Sequence, residues 1–195
     1  MIHRMDLPPS LSTEVLERST RAFGESWTLP PVVYTEPDVL TWERRHFFDG
    51  GWVCAGRACD SRARGDRRAA SLGPASVLLV VGDDGQRHVL ANVCRHRGHE
   101  LLPCGATADG PVIVCPYHGW VYELDGRLRG AAGLDRAPTA DRSELGLVPV
   151  RHAEWGGFVF VNVSGDAPPF SSVLGSLAGF AISHELDNLV IAHRH

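Results

Sequence analysis

The sequence predicts a mainly β protein, an antiparallel β sandwich or barrel that carries a small loop-built subdomain and short flanking helices.

 

Two observations carry this. Beyond Gly51 the chain alternates short apolar runs with turn chemistry: "GWVCAGRA", "SVLLVV", "GDDGQ", "HVLANV", "PVIVC", "GWVYEL", "DGR", "GLVPV" and "GFVFVNV". In addition, 21 Gly and 13 Pro among 195 residues favour turns over long helices. A chain of this length suits one packed core with a helical extension.

Taken in order, the segment from Leu11 to about Phe23 has weak helical periodicity, and the prolines of "WTLPPVVYTEPDVL" break it. Thr35 reads as an N-cap with Pro37 in the first turn, and Val39, Leu40 and Phe47 share related faces, so residues 36–48 are expected to form a short amphipathic helix. "VLLVVGDDGQRHVLANV" is the clearest hairpin, with Asp84 and Gly85 at a turn that tolerates positive φ, and "ELDGR" repeats the device. From Pro168 onwards, with Leu174, Leu177 and Phe180, the tail is expected to turn helical. The expected organisation is a helical lead over residues 1–49, a β domain over 50–167 with a small subdomain over about 92–129, and a C-terminal segment over 168–195.

Hydrophobic content of 44% with 22% charged residues is ordinary for a globular chain. The net charge is −4 and every strongly basic side chain is Arg, without a dense run, which argues against nucleic acid as a partner. No apolar stretch approaches the roughly 18 residues of a membrane span, and the N-terminus lacks a signal-peptide core. A soluble, cytoplasmic protein is the expectation. In that compartment the five cysteines, Cys54, Cys59, Cys94, Cys104 and Cys115, are thiols or metal ligands rather than disulfides.

The stretch "CRHRGHELLPCGATADGPVIVCPYHGW" concentrates the chemistry. Cys94 and His96 form a C-x-H pair, Cys115 and His118 a C-x-x-H pair, and 18 residues separate the two. Together they can present two thiolates and two imidazoles to one centre, with Gly98, Gly105, Pro116 and Gly119 letting the loops bend tightly. Structural zinc and a [2Fe–2S] cluster both suit this donor set. Ligands only two positions apart are unusual for zinc knuckles, and a chain this rich in β sequence does not need zinc to fold, which favours iron–sulfur.

"CRHRG", "CPYHGW" and "DGRL" resemble the Rieske centre of the non-haem iron oxygenases, the ring-hydroxylating dioxygenases and their monooxygenase relatives. "WVCAGRA", "LLVVGDDGQRHVLANV" and "WGGFVFVNV" extend the resemblance to the alpha-type subunit over roughly residues 36–170. The resemblance implies that Cys94 and Cys115 hold one iron and His96 and His118 the other, with the His side as the electron exit. Around them it places Arg95, Arg97, Gly98, His99, Tyr117, Gly119 and Trp120. Tyr117 and Trp120 are expected to shield the cluster, unless they are ordinary core aromatics; Arg95 and Arg97 neutralise charge, dock a partner or are merely solvated. Respiratory Rieske proteins have a disulfide between positions occupied here by His99 and Tyr117, so that bridge is excluded. Cys54, Cys59 and Cys104 read as buried or free thiols.

In the family a catalytic domain follows, with a mononuclear Fe(II) on two His and one carboxylate. His184, Glu185, Asp187, His193 and His195 do not match its N-x-x-D-x-x-H spacing. The expected chain is therefore the electron-transfer part of an oxygenase subunit, able to bind the cluster but not to hydroxylate. A stand-alone Rieske ferredoxin is the alternative. The resemblance implies a reductase or ferredoxin as donor, a catalytic domain of the same or a neighbouring subunit as acceptor, and a homotrimer for the full-length form.

Overall fold

The computed structural model describes residues 7–133, 141–180 and 184–189. Among them, ten strands form three antiparallel sheets. The first has the order β1-β10-β9, from Val53–Arg57, Phe158–Asn162 and Arg151–Trp155. The second has the order β4-β3-β2-β5, from Arg87–Ala91, Ala75–Val81, Arg67–Leu72 and Thr107–Ala108. The third is small, β6-β7-β8, from Ile113–Val114, Val121–Tyr122 and Leu128–Gly130.

The four-stranded sheet is the middle layer, and its strand sequences show why. Alternate side chains leave opposite faces of a strand, so a continuous apolar run such as "VLLVV" needs cover on both sides. Val77 and Leu79 join Ala70, Leu72 and Val89 against Ala55, Val159 and Val161 of the first sheet. Leu78 and Val80 point the other way, with Ala69 and Leu90, into a core shared with Ile113, Trp120, Tyr122, Leu124, Cys94 and Cys115. Each fully buried Leu or Val contributes about 1.5–3 kcal/mol.

The β3–β4 hairpin runs in register from Val77↔Ala91 to Val81↔Arg87. Its turn divides the work that the sequence assigned jointly to two residues. Gly85 takes the positive φ of 72°, while the Asp84 carboxylate accepts the Gln86 N–H at 2.9 Å. "ELDGR" does the same between β7 and β8, with Gly126 at φ 92° and Asp125 accepting the Arg127 N–H at 3.0 Å.

Three expectations need correction. Thr35 does not cap the second helical segment. It closes a short helix, α2 (Val32–Thr35), which follows α1 (Thr13–Ser19), and its hydroxyl donates to Pro31 O at 3.2 Å. The next helix, α3 (Pro37–Glu43), starts from Glu36 and widens into a π turn over Arg44–Asp49. "GLVPV" is not a strand either. Val148 O and Val150 N–H bond to Ala91 and Val89, but Pro149 has no N–H to continue a ladder, and a single Leu90↔Pro149 bridge results. Finally, β2 and β9 are strands that their charged or Ala-rich sequences did not announce.

The lead is tied down by Asp38, which accepts the Ser10 amide at 3.0 Å and its hydroxyl at 2.8 Å. These bonds hold the Asp38 carboxyl below its usual value of 3.8. A lowered folded pKa means the tie is present above about pH 4 and is lost as pH falls through the folded value. Hydrogen-exchange protection of the Ser10 amide is accordingly expected to disappear in Asp38→Ala at neutral pH, and in the wild type only in acid.

After β10 the tail is partly helical, with α4 (Phe170–Leu174) followed by 3₁₀ turns at Gly175–Gly179 and Leu186–Asn188. Phe170 packs on Trp52 and Phe160, with ring centroids 5.1 and 4.8 Å away. Among the described residues no helix is long and apolar enough to cross a membrane.

Candidate metal centre

The two Cys/His loops are built alike. In the first, Cys94 N–H donates to His99 O at 2.8 Å and Gly98 N–H to Cys94 O at 3.0 Å. In the second, Cys115 N–H donates to Trp120 O at 2.8 Å and Gly119 N–H to Cys115 O at 3.1 Å. The necks match as well, through Val93↔Glu100 and Val114↔Val121. Gly98 and Gly119 stand four residues after each Cys, at φ 69° and 67°. A Cβ at either would meet nothing within 4 Å, so the requirement is for the left-handed backbone, not for space.

This shared frame puts the thiols inside and the imidazoles outside. Cys94 and Cys115 are each 2% exposed within the core between the second and third sheets, whereas His96 and His118 lie exposed at the tips. The two His rings are 4.8 Å apart at 69°. Among the described residues no three His, Cys, Asp or Glu side chains are grouped as a single metal ion would need. Two thiols on one side and two imidazoles on the other suit a two-metal cluster better than a tetrahedral ion. Burial pushes the Cys94 thiol up. The His118 imidazole is pulled down by lost hydration and then by His96, Arg97 and His99, which keeps its lone pair free for a metal.

The two aromatic residues expected to shield the centre divide. Trp120 is buried and stacks on His96, with centroids 4.9 Å apart and planes at 6°. Tyr117 is 56% exposed and leans over His118 at 3.7 Å and His99 at 5.2 Å, on the surface. Arg95 and Arg97 are exposed, and the Arg95 guanidinium reaches Glu144 O at 3.5 Å. Cys54 and Cys104 are exposed free thiols and Cys59 is a half-buried one. In the tail, His184 and Glu185 are exposed. His193, His195 and the Asp187 side chain lie outside the described residues.

Two buried polar residues beside the loops escaped the sequence reading. Tyr122 is fully buried, and its oxygen accepts the Arg95 N–H at 3.1 Å and lies 3.1 Å from Cys94 Sγ. With the amide on its lone pair, the hydroxyl hydrogen is free to point at the sulfur. Burial pushes this phenol well above its ordinary pKa, so it stays a donor. Its signal, a Tyr two residues beyond "HGW", looks like any strand aromatic. A hydrogen bond to a thiolate favours the electron-rich, reduced state. Tyr122→Phe is expected to lower the reduction potential by on the order of 40 mV, the one-electron equivalent of about 1 kcal/mol, as read by redox titration. The other residue is Asn92. Completely buried, it donates to Ser76 Oγ at 3.0 Å and Leu102 O at 2.7 Å and accepts the Leu102 N–H at 3.1 Å, anchoring the base of the first loop.

The fold and the paired loops define a Rieske domain, and residues 51–141 match the family model described as the Rieske [2Fe-2S] domain. The chain matches relatives that are oxygenase subunits. It is 38% identical to the glycine betaine monooxygenase oxygenase subunit of Chromohalobacter salexigens, over 85% of this chain and 37% of the relative. It is 33% identical to the carnitine monooxygenase oxygenase subunit of Escherichia coli K12, over 87% of this chain and 46% of the relative. Among solved structures, the quaternary ammonium Rieske monooxygenase CntA bound to L-carnitine superposes with a TM-score of 0.77 at 32% identity, covering 87% of this chain and 49% of that one. Naphthalene 1,2-dioxygenase from Rhodococcus sp. gives 0.75 at 26%, covering 86% and 38%. The chain thus spans less than half the length of these relatives.

Proposed function

We propose that Cys94, Cys115, His96 and His118 hold a [2Fe–2S] cluster, and that the chain is the electron-transfer part of an oxygenase subunit. The observation that carries this reading is the sorting of the four donors, sulfurs in the core and imidazoles at the surface. When bound, a Rieske cluster accepts and releases one electron at a potential above that of four-thiolate clusters, because two neutral imidazoles replace two anionic thiolates. Tyr122 steadies the sulfur side by hydrogen bonding. Trp120 excludes water and fixes the His96 ring, and the exposed His96 and His118 edges offer the shortest route to a partner.

The donor would be a reductase or ferredoxin, and the acceptor a mononuclear iron in a catalytic domain of the same or a neighbouring subunit, in a homotrimer. Quaternary ammonium compounds are the substrate class this reading favours for the complete protein, supported by the greater identity to the betaine and carnitine enzymes than to the naphthalene enzyme. The test is low-temperature EPR of the dithionite-reduced protein beside an iron, sulfide and zinc count. A rhombic signal with average g near about 1.9 is expected. A silent, colourless protein with one zinc overturns the reading.

A further inference from the structure

β1 ends in a buried cation, Arg57. It is 7% exposed, and its acceptors among the described residues are neutral carbonyls: Gly156 O at 3.2 Å, Leu186 O at 3.1 Å from both Nη atoms, and Leu189 O at 2.6 Å. The guanidinium carbon also sits 4.4 Å from the ring centroid of Phe158, its partner across the β1–β10 ladder. A cation taken out of water persists only where hydrogen bonds replace its hydration. Three of the four bonds here lead to residues 129 and 132 positions further along the chain.

The segment at the far end of those bonds does little to hold itself. Its regular structure is a single 3₁₀ turn, Leu186–Asn188, with Leu186 half-buried and Asn188 and Leu189 exposed. The turn is entered through Glu185 at φ 48° and ψ 42°, the one non-glycine residue with positive φ among those described. A Cβ makes that left-handed conformation unfavourable, so surrounding contacts must hold it. The last carbonyls of a helical turn are short of donors, and the planar guanidinium fork can serve two of them at once.

We infer that Arg57 is a latch: it seats residues 184–189 on the corner where β1 ends and β9 turns into β10, and so fixes the direction in which the chain runs on past Leu189. Cation and segment stabilise each other. Without the segment Arg57 keeps one of its four bonds, to Gly156 O, and without Arg57 the carbonyls of Leu186 and Leu189 lose their donors from the β domain. The functional meaning rests on the oxygenase reading above. Where a catalytic domain continues from this segment, Arg57 is a positioning residue that sets the placement of that domain relative to the imidazole tips.

The experiment is ¹⁵N relaxation on the oxidised, cluster-loaded chain, comparing the Asn188 and Leu189 amides with that of Leu79 in β3. Wild type is expected to give order parameters of about 0.8 or above at all three. In Arg57→Gln those of Asn188 and Leu189 should fall below about 0.6 while Leu79 stays rigid. Arg57→Lys, which keeps the charge but not the fork, should fall between the two. Glu185→Pro frees the segment from its other side, because proline cannot adopt a positive φ, and it serves where Arg57→Gln does not fold; there the Arg57 Nε–H should become mobile. Three results overturn the latch: a segment already mobile in wild type, one as rigid in Arg57→Gln as in wild type or loosened together with Leu79, and an Arg57 side chain still rigid once Glu185→Pro has mobilised the turn. A wild-type protein without the reduced Rieske EPR signal removes the oxygenase meaning and leaves the latch itself standing.

Discussion

Cys115→Ala is expected to yield a colourless protein. Its Sγ is one of two thiols, each 2% exposed, in the core between the middle and small sheets. On the proposed ligand set, its loss leaves the sulfur side of the centre with a single protein ligand, and the Gly119-to-Cys115 turn then offers only His118. Iron and acid-labile sulfide should fall to background and the reduced EPR signal should vanish. Because binding free energy of a metal centre is also folding free energy, the melting temperature should fall with it. Cys104→Ala is the control, since Cys104 is an exposed free thiol and its loss should leave colour and signal intact. Full iron and sulfide in the Cys115 variant would remove this residue from the ligand set.

The second large effect is Asn92→Ala, which should destabilise the fold by about 3 kcal/mol, the sum of three buried hydrogen bonds at about 1 kcal/mol each. The side chain joins β3, through Ser76, to the strand end that launches the first loop and to Leu102 beyond it. Removing it leaves the N–H and O of half-buried Leu102, beside the core, without their partner. A denaturant titration should show a lower midpoint with an unchanged slope. The residual folded protein should lose its cluster faster than wild type in the presence of a chelator. An unaltered midpoint would mean that the loop base is held by its backbone bridge alone.

How far these features were legible follows from where the signals reside. β3, β4 and β10 could be read because their apolar runs are long and their turns carry Asp-Gly or Gly-Gly chemistry. The paired Cys/His loops were legible because few side-chain types hold metal and their spacing is distinctive. β2, "RRAASL", was hidden because Ala is a poor strand former in isolation; Ala69 and Ala70 serve here as small residues between two crowded cores. β9, "RHAEW", was hidden because it is the charged edge of its sheet, held by ladder bonds to β10. Thr35 misled because a hydroxyl that suits an N-cap can equally bond back to the turn before it. Tyr122 and Asn92 are common residue types whose roles come from distant neighbours, and no local pattern encodes those.

The middle sheet behaves like a party wall between two tenants. Along β3, Leu78 and Val80 belong to the chamber with the cysteines, and Val77 and Leu79 to the chamber with the first sheet. A change of residue number by one therefore changes which tenant is disturbed. Trimming Leu78 is expected to open space in the core that includes Cys94 and Cys115, whereas trimming Leu79 costs a similar amount of packing that is felt by the first sheet. Odd and even positions of a single strand thus separate packing beside the proposed cluster from support of the outer sheet, so that either can change with little effect on the other.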